Sequence, residues 1–428
     1  MRSLLKYKGV STVLAAVSAF CVYSCMYAFR KPFTAAGYEG YTFLKVDYKI
    51  WLVIAQTIGY TLSKFYGIRF IAELKNEKRT LTIIKLISVG WIALLLFAIV
   101  PAPYNIIFLL INGFPLGIIY GLVFSYLEGR QTTEFLGAVL ATSFIFASGF
   151  TQTAGKFVML TIGVDQWWMP WVTGLLFFGP LLLFTWLLGK TPQPTNKDIL
   201  LRTERTQMTQ SGRKDFIRTF LPGLVLLIIA YVLLTIIRDY RSNFAADIWN
   251  ELGQGKDASV FTRSEIPASL VVLVLMSLLI LVRKNINALL INHAVVMAGF
   301  IVCIGSTILF TTGVISAFWW MTLTGIGLYM GYVPFNCMLF DRLIAAFKYA
   351  GNAGFIIYLA DSFGYLGSDV VLLVKNFMHL ENSWTLFFVR MILIVSVIGI
   401  LLVGMSAAYF HKKYKVSTPL LPNQLKYA

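Results

Sequence analysis

An apolar run about as long as a bilayer is thick recurs twelve times along this 428-residue chain, and no other feature restricts its fold as much. The runs lie at about 9–34, 48–70, 81–100, 104–127, 134–158, 167–189, 219–243, 265–283, 291–312, 316–339, 352–375 and 384–410. Hydrocarbon offers no water to backbone amides, so each run has to satisfy its own hydrogen bonds, which points to helices. Twelve helices of roughly 20 residues consume about 240 residues, leaving roughly 14 for each connection or tail. No sizeable extramembrane domain fits. Only 13% of the residues are charged, about half the share in a soluble domain. A cytosolic enzyme, a nucleic-acid-binding protein and a receptor with an appended catalytic module are all disfavoured. The expected fold is an all-α integral membrane protein, with twelve transmembrane helices in two pseudo-symmetric six-helix bundles.

The net charge of +17 would suggest nucleic acid if its distribution were ignored. The bases, however, gather on one side of the expected topology. Arg2, Lys6 and Lys8 precede the first span, and Arg69, Lys75, Lys78 and Arg79 lie at or beyond the end of the second. Lys190, Lys197, Arg202, Arg205, Arg213, Lys214 and Arg218 fill the central connection, and Lys412, Lys413, Lys415 and Lys426 the C-terminal tail. The opposite side holds chiefly Lys45, Lys49, Lys256, Arg263 and Lys375. This is the positive-inside pattern. It places a multi-pass protein in the cytoplasmic (inner) membrane with both termini cytoplasmic, surrounded by lipid, and it requires no nucleic-acid partner. The expected organisation is a first six-helix bundle over 1–189, a cytoplasmic linker over 190–218, a second bundle over 219–411 and a cytoplasmic tail over 412–428.

Cys21, Cys25, Cys303 and Cys337 lie in apolar runs without a CxxC pair, so neither a disulfide framework nor a zinc site is expected. His293, His379 and His411 are scattered near span ends and form no catalytic or metal-binding constellation. The expectation is a protein that is not an enzyme, with no metal and no cofactor.

A duplicated half leaves a weak internal repeat. In the first span Tyr23, Tyr27, Arg30 and Thr34 recur at helical spacing, and in the seventh Tyr231, Thr235, Arg238 and Ser242 do the same. On this reading Arg30 and Arg238 reach equivalent depth in the two halves. A second trace pairs Glu128 and Arg130 after the fourth span with Asp341 and Arg342 after the tenth, as expected gating pairs at the cytoplasmic side.

The segments Tyr27-Ala28-Phe29-Arg30-Lys31-Pro32-Phe33, Gly59-Tyr60-Thr61-Leu62-Ser63-Lys64-Phe65 and Leu234-Thr235-Ile236-Ile237-Arg238 resemble the major facilitator superfamily, and most of all its organophosphate:phosphate antiporter branch. The phrases Met26-Tyr27-Ala28-Phe29-Arg30-Lys31-Pro32-Phe33 and Leu127-Glu128-Gly129-Arg130 are also similar to an uncharacterised bacterial family of major-facilitator-like proteins that has no assigned substrate. The first resemblance implies that Arg30 and Arg238 bind substrate phosphate, with Lys64 beside them. The loop after the second span departs from the superfamily pattern, because its acid and basic pair, Glu77, Lys78 and Arg79, are displaced and lack the second glycine.

An ionised side chain at the bilayer centre costs about 2.5–3.5 kcal/mol on insertion scales, so two arginines there need a compensating role. Arginine suits a clamp on phosphate or carboxylate, because its planar fork donates two parallel hydrogen bonds and keeps its charge. The bland alternative has the bases snorkelling to the headgroups, as expected of Lys31 and Arg241. Tyr27 and Tyr231 share the faces of the two arginines. Asp361, inside the eleventh span, is either a proton-coupling carboxylate or a permanently ionised partner for a base such as Lys64. Asp239, next to Arg238, points about 100° away from it on an ideal helix and is expected to pair with Arg241 or Lys256. Asn112, Tyr126, Gln152, Tyr329, Asn336 and Tyr358 are candidate neutral donors.

The expected function is secondary transport of a small organic anion by alternating access, exchanged for a counter-anion or coupled to a proton, by a protein acting as a monomer. The alternative from another class is a transport-fold sensor or scaffold that binds an anion without moving it.

Overall fold

The computed structural model describes residues 8–74, 78–127, 130, 132–192, 210–349, 354–377 and 383–417. Its helices are α1 (Lys8–Tyr27), α2 (Tyr48–Glu73), α3 (Arg79–Ile99), α4 (Ile106–Phe124), α5 (Thr133–Leu160), α6 (Met169–Gly189), α7 (Gln210–Asn243), α8 (Ala245–Glu251), α9 (Val260–Ile280), α10 (Asn285–Thr311), α11 (Ala317–Cys337), α12 (Leu339–Ala346), α13 (Gly354–Phe377) and α14 (Trp384–Ser417). A two-strand hairpin, β1 (Thr42–Phe43) against β2 (Val46–Asp47), precedes α2.

Among the described residues eight helices are long and apolar enough to cross a membrane: α3, α4, α5, α6, α7, α9, α10 and α14. The pair α11 and α12, bent by 47°, makes a ninth if it is one span. Pro334 lies inside α11, and the break falls beyond it, at Met338. Helices α1, α2 and α13 stand where the other three spans are expected.

The first expected span, 9–34, is not one helix. α1 stops at Tyr27, turns occupy 28–30, and a 3-10 helix runs over Pro32–Ala35. Pro32 explains the stop, because its ring crowds the preceding residue out of α-helical geometry and removes a donor. The single helical face shared by Tyr23, Tyr27, Arg30 and Thr34 therefore breaks after Tyr27. Its counterpart Tyr231, Thr235, Arg238 and Ser242 lies wholly within α7.

The chain forms two compact units. The first comprises Met1–Arg202, Asp239–Leu273 and Ser368–Phe388, and the second Thr203–Arg238, Val274–Gly367 and Val389–Ala428. Four helices, α7, α9, α13 and α14, thus contribute one part to each unit. In the first unit α1 packs along α5 and α6, while α2 and α3 pack along α4. A buried cluster including Val22, Met26, Phe29, Ile87, Ile119, Leu122 and Leu140 fills the space between them.

Glycine sets how closely α2 and α4 approach. A Cβ at Gly59 would lie 2.1 Å from the Leu110 carbonyl oxygen, and one at Gly113 would lie 2.2 Å from that of Gln56. Small residues that let backbones meet are the usual device between helices in lipid, where apolar burial supplies little drive. Gly113→Ala is therefore expected to lower the thermal unfolding midpoint of the purified protein, by an overpacking cost of at least about 1–3 kcal/mol. An unchanged midpoint would contradict the close approach. In the second unit a Cβ at Gly327 would meet the Gly299 carbonyl oxygen at 2.5 Å, so α10 and α11 meet in the same way.

Candidate functional site

In the first unit the site is built on the end of α1. The amides of Ala28, Phe29 and Arg30 donate to the carbonyls of Cys25, Met26 and Tyr27, each at 3.0 Å, and Lys31 donates to Tyr27 at 2.8 Å. This tightened last turn leaves carbonyls with no helical partner. Asn112 on α4 takes up one of them: its Nδ2 donates to the Phe29 carbonyl at 2.9 Å and to the Gly90 carbonyl at 2.8 Å. Gln56 on α2 donates to the Arg30 carbonyl at 2.9 Å and to Asn112 Oδ1 at 2.8 Å. The backbone of Arg30 is thereby fixed from two helices, so Asn112 holds the backbone in place.

From that backbone the Arg30 guanidinium lies over the Tyr60 ring, 3.9 Å from its centre, and over Tyr27 at 5.6 Å. The Lys64 ammonium stands over the same Tyr60 ring at 5.1 Å. The two half-buried cations share one aromatic ring, whose quadrupole helps to hold them there. Tyr27 and Tyr60 are buried, and Tyr23 packs edge-on against both Tyr27 and Tyr120.

The second unit also sets an arginine over tyrosine rings. The Arg238 guanidinium lies 4.1 Å from the centre of the Tyr332 ring and 5.8 Å from that of Tyr365. Tyr231 stacks on Tyr332 with ring centres 5.1 Å apart, and the two hydroxyls are hydrogen-bonded at 2.9 Å. Tyr231 also donates to Asp361, and Asn336 Nδ2 donates to the Tyr231 hydroxyl at 3.3 Å. Gly364 makes room for this arrangement, since a Cβ there would lie 2.8 Å from Thr235 Oγ1. Each arginine thus lies over two tyrosines, Tyr27 and Tyr60 in one unit and Tyr332 and Tyr365 in the other. Within the second unit an acid accompanies the arginine's tyrosines.

A further polar cluster of the first unit was not legible in the sequence. Lys31 and Arg241 are buried and do not reach toward headgroups as expected. The Lys31 ammonium donates to Asn243 Oδ1 at 2.5 Å and to Ser242 Oγ at 2.8 Å. Arg241 pairs with Glu265 at 2.5 Å. Burial explains both departures, because a base removed from water and headgroups needs acceptors inside the protein. Gln152 donates to Thr34 Oγ1 at 2.7 Å and to the Ser242 carbonyl at 2.8 Å, so this candidate cavity donor is a structural tie. Lys49, at the start of α2, pairs with Asp247 of α8 at 2.6 Å and donates to the Thr34 carbonyl at 2.8 Å.

The remaining candidates fall elsewhere. Asp239 is half-buried, and Asp369 lies within its electrostatic reach. Arg130 donates to the carbonyls of Tyr126 and Pro192 at 3.3 and 2.6 Å, while Glu128 lies outside the described residues. Asp341 occupies the first turn of α12, and Arg342 donates to Asn285 Oδ1 at 2.9 Å. Tyr126 shares a hydrogen bond with Thr80 at 2.9 Å, and Tyr329 is buried in α11. The side chain of Tyr358 lies outside the described residues. Missing from the sequence candidates were Tyr60, Tyr332 and Tyr365. Their only signal was an aromatic residue at a polar helix position, shared with many of the 21 tyrosines of the chain.

A family model described as a family of unknown function, DUF5690, matches residues 32–413. No curated protein matches the sequence. Among solved structures, that of a D-xylose-proton symporter superposes with a TM-score of 0.60 at 14% identity, covering 93% of this chain and 96% of that one. At that identity the likeness is one of fold alone.

Proposed function

As the chain belongs to DUF5690, a family of unknown function, we propose from its own residues that it is a secondary transporter of a small organic anion, a phosphorylated or carboxylated metabolite. All twelve long helices cross the membrane, six in each half, and alternating access moves the solute. Arg30 and Arg238 recognise its negative charge, with Lys64 supplementing Arg30 and Tyr27 and Tyr231 bordering the two cations. The observation that carries this reading is the repeated pairing of an intramembrane arginine with two tyrosine faces, Arg30 over Tyr27 and Tyr60 and Arg238 over Tyr332 and Tyr365. A guanidinium held against an aromatic ring keeps its charge and leaves its in-plane edge for the two parallel hydrogen bonds of a phosphate or carboxylate. The fold shared with a solved symporter supports the general class of secondary transport. The sequence resemblance to organophosphate:phosphate antiporters favours phosphate esters within the anion class. Glu128, Arg130, Asp341 and Arg342 serve the gating movement at the cytoplasmic side, with Asp239 and Asp361 near the second arginine.

A thermal-stability screen of the purified full chain tests the substrate class. Sugar phosphates, glycerol phosphate, inorganic phosphate and small carboxylates form one set, and amines and neutral sugars the other. The reading predicts that at least one anion raises the unfolding midpoint, because a ligand that binds only the folded state stabilises it in proportion to the logarithm of its saturation. Stabilisation by a cation and by no anion would reverse the assignment.

A further inference from the structure

One base of the first unit is left out of its polar cluster. Lys156 stands on α5 one turn beyond Gln152, on the same helical face, and both side chains are buried. Gln152 reaches two acceptors, Thr34 Oγ1 and the Ser242 carbonyl. Lys156 has neither a hydrogen bond nor an ion pair among the described residues, although only 9% of it is exposed. The charged groups within its electrostatic reach are Lys49 on α2, Asp247 on α8 and Glu39 ahead of the hairpin. Asp247 is already closed on Lys49 at 2.6 Å. Glu39 is exposed, so water screens it. Lys49 and Lys156 therefore face a single buried carboxylate, and one positive charge stays unmatched.

A base held away from water either gives up its proton or acquires an anion. The donor count favours the anion. An ammonium has three protons to donate, and Lys49 uses two of them, on Asp247 and on the Thr34 carbonyl at 2.8 Å. Its third proton and those of Lys156 call for an acceptor in one neighbourhood. The charge and the packing limit what that acceptor is. One unmatched positive charge beside the Asp247 carboxylate calls for a single negative charge. All four residues of the 3-10 segment Pro32–Ala35 are buried. A Cβ at Gly155, next to Lys156, would lie 2.9 Å from Met169 Sδ and 3.2 Å from Pro32 Cβ. The segment thus packs tightly on this part of α5, which favours a monatomic anion over an organic one.

We propose that Lys156 and Lys49 form a second anion site, within the first unit, that takes a small monovalent inorganic anion of the chloride class. Its residues are not those around Arg30, and it does not rest on the transport reading. The bound anion accepts from the Lys156 ammonium and from the remaining Lys49 proton. It thereby ties α5 to α2 and, through the Lys49–Asp247 pair, to α8. It acts as a structural ligand of the folded chain.

Thermal unfolding of the full chain, titrated with sodium chloride against sodium methanesulfonate at constant ionic strength, tests this directly. The parent midpoint is expected to rise saturably with chloride, by at least about 2 °C, and bromide is expected to act in the same way. Lys156→Met keeps the apolar stem and removes the charge. It is expected to lose the chloride response and, without chloride, to unfold no lower than the parent, because no charge is stranded. Arg30→Ala and Arg238→Ala are expected to keep the response, which separates this site from the one proposed for the solute. A parent midpoint indifferent to chloride overturns the site, as does a response that persists in Lys156→Met. If Lys156→Met does not fold, anomalous scattering from bromide in crystals of the parent protein decides: a peak beside the Lys156 ammonium is expected, and none there overturns the site. Failure of the transport reading is seen separately, as absent uptake into liposomes.

Discussion

Arg30→Ala and Arg238→Ala are each expected to abolish measurable uptake of the anion that stabilises the protein, while Lys64→Ala weakens it less. Truncating one partner of a desolvated, hydrogen-bonded charge pair costs about 2–5 kcal/mol, which is roughly 30-fold to several thousand-fold in affinity. Each arginine lies over two tyrosines, so its removal also leaves those rings without the cation they hold in place. Arg30→Lys and Arg238→Lys are expected to recover only part of the loss, because an ammonium supplies charge without the planar fork. Lys64 shares the Tyr60 ring with Arg30 at the longer distance of 5.1 Å, and so contributes to the field more than to the geometry. Binding curves and initial uptake rates in proteoliposomes check all five variants. Uptake by both alanine variants at the parent rate would eliminate the arginines as the recognition site.

Asp247→Ala is expected to be the most destabilising single change in the Lys49 region. The pair is closed at 2.6 Å with side-chain exposures of 2% for Lys49 and 12% for Asp247. Removing one partner of a buried pair leaves an uncompensated charge, at a cost of about 3–5 kcal/mol. Replacing both, as Lys49→Met with Asp247→Leu, removes the desolvation penalty along with the attraction and is expected to restore most of the stability. Thermal unfolding of the two single variants and the double one separates these cases. A double variant no better than Asp247→Ala would show that the loss comes from packing and not from a stranded lysine.

Much of the fold was legible because its cause is local. A charge-poor run of about twenty residues has few alternatives to a membrane helix, and every expected span overlaps a helix of the structure. The first span was read too long for an equally local reason: hydropathy carries through Ala28, Phe29 and Pro32–Ala36, while the backbone stops helical pairing at Tyr27 because of Pro32. The arginines stood out because charge is rare in such runs, and the seventh-span spacing of Tyr231, Thr235, Arg238 and Ser242 survives intact in α7. The tyrosine faces under the arginines were not legible. Tyr60, Tyr332 and Tyr365 come from helices remote in sequence, and no spacing within one helix announces a contact made across two.

The buried bases show the same limit. Counted along the chain, Lys49 and Lys375 look like sparse bases of one membrane face, and Lys31 like a base reaching to the headgroups. In the structure Lys31 is bound to Asn243 and Ser242, Lys49 to Asp247, and Lys375 lies over the Trp384 ring at 4.0 Å. Charge statistics identify which side of the membrane a loop occupies, whereas the partner of an individual lysine depends on tertiary packing.

Uptake of a stabilising anion into proteoliposomes containing the full chain tests the central claim most directly. Saturable uptake above that of protein-free liposomes, lost in Arg30→Ala and Arg238→Ala, is the predicted result. Binding of the anion with flux no greater than in protein-free liposomes would contradict it and leave an anion-binding sensor in place of a transporter.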